Sequence, residues 1–99
     1  MTMTTINFAH WGNRDGRIEM PKSVRAVDDG YSSPIGLISR AIERKNRGLA
    51  VANCRRDLQE VDRHGAVLST HYELTIGKPV KTGGYNIVGS VWVAVKNAV

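Results

Sequence analysis

A chain of 99 residues with 41% hydrophobic and 23% charged side chains belongs to the folded globular class, and its length allows one domain with one modest core. A single cysteine, Cys54, excludes an intramolecular disulfide and a cysteine-based zinc site, and no run approaches the roughly 20 apolar residues of a membrane-spanning helix. Fourteen Lys and Arg against nine Asp and Glu give a formal net charge of +5, a sign that draws nucleic acid or acidic protein faces over long range.

The opening residues, Met1 to Thr5, carry neither the positive charge nor the apolar run of a signal peptide, which predicts a soluble, cytoplasmic protein. The first strand is expected from Thr4 to Trp11, with Ile6, Phe8 and His10 on one face. Asn13-Arg14-Asp15-Gly16 then carries hairpin-turn chemistry: an Asx residue able to bond its own backbone two residues on, and a glycine to take the left-handed conformation. A short strand from Arg17 to Met20 follows, terminated by Pro21. Residues 22–32 lack periodicity, and Asp28-Asp29-Gly30 reads as a loop.

Ser33 is an N-cap and Pro34 suits the first helical position. Ile35, Ile38, Ala41, Ile42 and Leu49 form an apolar stripe at helical spacing, opposite Arg40, Glu43, Arg44 and Arg47. Gly48 stands where a left-handed cap belongs, so the helix is placed at about 34–47. Residues 49–61 are open to two readings. Val51, Cys54, Leu58 and Val61 have helical spacing, whereas Asp62-Arg63-His64-Gly65 repeats the hairpin signature and favours a strand with an irregularity near Arg55 to Asp57.

From Ala66 to Ile76 the chain alternates strictly, Leu68, Tyr72, Leu74 and Ile76 facing one side, His71 and Glu73 the other. Gly77-Lys78-Pro79 interrupts the strand, and Lys81-Thr82-Gly83-Gly84 is read as a loose connection. Tyr85 to Lys96 alternates again, with Gly89 marking a bulge. The assembly expected is α+β: an antiparallel sheet of about four or five strands with one main helix on one face. The last strand, strongly β-prone, is expected at an edge, open to pairing with a second copy.

Candidate chemistry is sparse. Arg40, Arg44, Lys45, Arg47, Arg55, Arg56 and Arg63 cluster around the helix and its exit, and one surface holding them would contact phosphates or carboxylates. The competing reading is a solvated face neutralised by Glu43, Asp57 and Glu60. Trp11 and Trp92 are candidate interface anchors or core. His71 and Glu73, about 7 Å apart on one strand face, offer the inventory of a metal-free ribonuclease when joined by an arginine. His10 and His64 have no metal-ligand spacing, Cys54 reads as a buried, inert thiol, and Lys81 with Gly83-Gly84 lacks phosphate-loop spacing. No cofactor is expected.

The expectation is a non-enzymatic binding protein of inhibitor or adaptor type that docks a protein or nucleoprotein complex through a basic surface. Accessory proteins of phages and mobile elements are often of this kind. Direct nucleic-acid binding is the alternative, and a small ribonuclease a remote one.

Overall fold

Alternation of apolar and polar side chains along three long segments builds most of the fold. The computed structural model describes residues 3–12, 18–27 and 33–97, which form β1 (Met3–Thr5), β2 (Phe8–Trp11), β3 (Arg25–Val27), α1 (Pro34–Lys45), β4 (Ala50–Val61), β5 (Val67–Pro79) and β6 (Tyr85–Lys96). An antiparallel sheet runs in the order β2-β6-β5-β4, and β1 pairs with β3 in a separate two-stranded sheet. The architecture is α+β, as the sequence implies.

One face of the large sheet presents Leu74, Ile76, Val91, Val93 and Val95, and onto it pack Ile38, Ala41 and Ile42 of α1 together with Ile18 and Val24. Six of these core side chains are essentially removed from water. Burying each contributes roughly 1.5–3 kcal/mol, so this layer carries most of the stability. The helix begins where expected: Ser33 Oγ accepts from the Gly36 N–H at 3.2 Å, with Pro34 behind it. It ends at Lys45, short of Arg47, because Asn46 takes a non-helical conformation. Gly48 supplies the left-handed turn that follows (φ +84°).

Residues 50–61 are a strand, and its register with β5 slips between Arg56 and Leu58, inside the stretch where an irregularity was expected. Asp57 is the extra residue, and the slip sets Leu58 opposite His71. The turn into β5 follows its signature. Asp62 Oδ1 accepts from the N–H groups of His64 (2.8 Å) and Ala66 (3.0 Å), and Gly65 is left-handed.

Several expectations are corrected. The segment Thr4 to Trp11 is two strands, because its backbone changes partners. The Ile6 N–H donates to Val24 O, while Asn7 O accepts from the Lys96 N–H. Residues 18–20 form no strand. The backbone of Glu19 bonds the Asn46 side chain instead of a neighbouring strand, and β3 lies in the stretch that shows no periodicity. The expected turn at 13–16, Arg17 and the loop at 28–30 fall outside the described residues. Strand β5 continues through Gly77 and Lys78 to Pro79, which pairs with Tyr85; at the strand's last position a missing N–H is tolerated. The connection to β6 is a closed turn. Gly83 N–H donates to Val80 O and Val80 N–H to Gly84 O, with both glycines left-handed. The register of β6 slips beside Gly89 as expected, leaving Val88 extra. Finally, β6 is interior where β2 pairs with Trp92 to Val95, and the edge strands of the large sheet are β2 and β4. No helix of the described residues is long and apolar enough to cross a membrane.

Candidate binding surfaces

The amphipathic pattern of α1 decides where its charges go. With Ile38, Ala41 and Ile42 turned into the core, Arg40, Arg44 and Lys45 are left exposed, and Arg47 is exposed in the exit turn. Arg40 and Arg44 lie one turn apart on one stripe of the helix. Glu43 does not neutralise them: it is half-buried, and its Oε2 accepts from the Val51 N–H at 3.0 Å. Glu60 is also elsewhere, bonded to His71 on the sheet. Among the described residues, none of Arg40, Arg44, Lys45 and Arg47 has an ion-pair partner.

Of the other three basic candidates, Arg55 and Arg63 do not join this surface. Arg55 and Arg56 are successive residues of β4 and point to opposite faces. Arg55 sits across from Glu73, their charged atoms 3.6 Å apart, while Arg56 is paired with Tyr72 on the helix side and is exposed. Arg63 lies in the hairpin turn at the far end of β4, roughly 35 Å of strand from the helix exit. The seven-residue cluster therefore resolves into four residues around α1, Arg56 on the same side of the sheet, and Arg55 and Arg63 elsewhere.

The second surface is the face of the large sheet turned away from α1, on which no helix or strand of the described residues lies. Its central row runs across four strands as Trp11, Trp92, Glu73 and Arg55, fixed by the pairings Trp11–Trp92, Trp92–Glu73 and Glu73–Arg55. The two tryptophans, 81 residues apart in sequence, are thus cross-strand neighbours. Trp11 is 46% exposed, and its ring reaches across β6 to stand edge-on to His71, centroids 5.5 Å apart. Gly12 closes over Trp92: a Cβ placed there would lie 2.2 Å from the indole, and its φ of +95° already requires glycine. Leu58, Val61 and Ile87 are exposed on the same face, each at 50% or more.

The pair His71 and Glu73 is not brought together. His71 Nε2 meets Glu60 Oε1 at 2.9 Å and Ser69 Oγ at 3.3 Å, while Glu73 faces Arg55. Ser69, His71 and Glu60 have the composition of a hydrolytic triad without its geometry. A triad base uses one ring nitrogen for the nucleophile and the other for the carboxylate, whereas here both partners share Nε2. Sequence reasoning missed Glu60 and Ser69. The alternation of β5 does place Ser69 beside His71, but Glu60 arrives only through the register that Asp57 shifts.

Cys54 is exposed rather than buried. Desolvation of the sulfur nonetheless raises its thiol pKa above the ordinary 9.0, which disfavours the reactive thiolate. His10 faces the helix side of β2, its ring 6.5 Å from that of Phe8. Both line an open groove of about 380 Å³ with Ile18, Met20, Pro21 and Lys22. Among the described residues no group of three or more His, Cys, Asp or Glu is arranged to hold a metal ion. Comparison of the chain with protein-family models, curated proteins and solved structures finds no match.

Proposed function

We propose that this chain is a non-enzymatic binding protein that docks an acidic protein or nucleoprotein partner through the basic surface of α1 and its exit. The observation that carries the reading is the placement of Glu43. Its carboxylate is held by the Val51 N–H, so Arg40, Arg44, Lys45 and Arg47 form a concentrated cationic patch on a molecule already at +5. Exposed cations that no carboxylate of the described residues neutralises steer an acidic partner into contact.

The test is affinity capture from lysate, after nuclease treatment, by the wild type and by the triple variant Arg40→Glu, Arg44→Glu, Arg47→Glu. A protein captured by the wild type and lost from the folded triple variant is expected. Identical capture by both would sink the reading. Direct nucleic-acid binding is the second reading, favoured because three of the four cations are arginines, whose planar forks match phosphate. For four phosphate contacts to a single strand, log K should fall against log salt with a slope of about −2.8, and the triple variant should bring it to about −0.7.

A further inference from the structure

The four cations around α1 differ from an ordinary basic face in how closely they stand and in what stands between them. Resting on the reading of α1 and its exit as the docking surface, we propose that its partner is the phosphate backbone of a nucleic-acid double helix, irrespective of base sequence. Arg40, Arg44 and Lys45 are all exposed on one helix, within about 7.5 Å of rise, and Arg47 follows in the exit turn. That is one cation per about 2.5 Å of helix, close to the one phosphate per about 1.7 Å that a duplex presents along its axis. A folded protein surface intersperses both signs, so a dense array of one sign is better matched by a polyanion. Arg44 and Lys45 in the last turn also offset the helix dipole, but that effect is confined to the last turn, and Arg40 lies a turn earlier.

Nothing beside these cations is left to read a base, which takes a donor or acceptor aimed at its edge. Between residues 39 and 47 both uncharged polar side chains are employed internally. Ser39 Oγ donates to Ile35 O at 2.8 Å, and the Asn46 amide bonds the backbone of Glu19 and Ile42. Glu43 is an anion that phosphate repels. An arginine reads guanine when a neighbouring group holds its guanidinium at the base edge, and no carboxylate of the described residues holds Arg40, Arg44 or Arg47. Contacts made by charge alone fix a protein on the backbone and carry no sequence.

The placement of the tryptophans favours two strands over one. Proteins that hold single strands stack bases on aromatic rings beside a basic groove. Here Trp11 and Trp92 lie on the sheet face turned away from α1, and the cations stand on the outer, convex side of a helix. A flexible strand loses conformational entropy when ordered against fixed charges, with no indole on that side to offset the loss. A duplex arrives with its phosphates already fixed. Counterion release of about 0.9 per phosphate on a duplex, against about 0.7 on a single strand, makes four contacts about tenfold tighter on the duplex at about 50 mM salt.

Fluorescence anisotropy tests this on the wild type and on the triple variant Arg40→Glu, Arg44→Glu, Arg47→Glu, with the milder pair Arg40→Gln, Arg44→Gln as a check that a loss is not a folding defect. The probes are two duplex DNAs of unrelated sequence, a duplex RNA, a DNA single strand of equal length, and polyglutamate in place of an acidic protein. The two DNA duplexes should bind within about threefold of each other and about tenfold more tightly than the single strand. Their log–log salt slope should be about −3.6 in the wild type, about −1.8 in the glutamine pair and about −0.9 in the triple variant. The tighter of duplex DNA and duplex RNA names the source of the backbone. A single strand or polyglutamate bound as tightly as the duplexes overturns the proposal, as does a tenfold preference for one duplex sequence. If the wild type binds no duplex, yet captures a lysate protein that the triple variant loses, the docking surface stands and the double helix is not its partner. Duplex bound equally by the wild type and both variants means that α1 is not the docking surface at all.

Discussion

Asn46 is the residue on which the basic surface depends most, although it carries no charge. Only 7% exposed, it stands between Lys45 and Arg47 at the point where α1 ends. Its side-chain amide is fully employed: Oδ1 accepts from the Glu19 N–H, while Nδ2 donates to Glu19 O and to Ile42 O, all at 2.7–2.8 Å. One side chain therefore terminates the helix and holds residues 18–24, including buried Ile18, Pro21 and Val24, against it. Replacing it with leucine keeps the volume roughly constant but strips the Glu19 N–H and the Glu19 carbonyl of their partner, while Ile42 O keeps the backbone N–H of residue 46. The expected cost is about 2–4 kcal/mol, a large part of the stability of a domain this size. The urea midpoint should fall with the m-value unchanged. Asn46→Leu with a wild-type midpoint would mean that the bracket around Glu19 contributes nothing.

The β4–β5 hairpin makes the corresponding case at the scale of an element. Its turn rests on Asp62, which holds two backbone N–H groups, and on Gly65 at φ +83°. Asp62→Ala should lower the melting temperature by about 4–8 °C, corresponding to about 1 kcal/mol. Gly65→Ala should do at least as much through strain. Unchanged melting of both variants would show that strand pairing alone sets this register. That turn was legible in the sequence because its chemistry spans four residues, and so were the helix start at Ser33 and the alternation of β5 and β6. What escaped reading depended on distant partners. The apolar period of Ile6, Phe8 and His10 runs on unbroken while the backbone leaves Val24 for Lys96, so no local signal divides β1 from β2. Strand β3, three residues long, is too short to show a period. The surfaces were half legible for the same reason: the arginines of α1 follow from helical spacing, whereas the row joining Trp11 to Arg55 exists only through three cross-strand registers.

At the scale of the whole molecule, the helix and the open sheet face lie on opposite sides of one core, so charge changes on the two should have separable effects. Reversing Arg40, Arg44 and Arg47 removes six charge units and takes the formal net charge from +5 to −1. Attraction to a polyanion should collapse, and an oligonucleotide followed by fluorescence anisotropy should lose at least tenfold in affinity. Arg55→Glu also lowers the net charge by two units, but it lies on the other face of the sheet and leaves the four cations of α1 and its exit unchanged, so the affinity should change no more than about twofold. If Arg55→Glu weakens oligonucleotide binding as much as the triple variant does, net charge and not the surface of α1 sets the affinity, and the division drawn between helix and sheet is wrong.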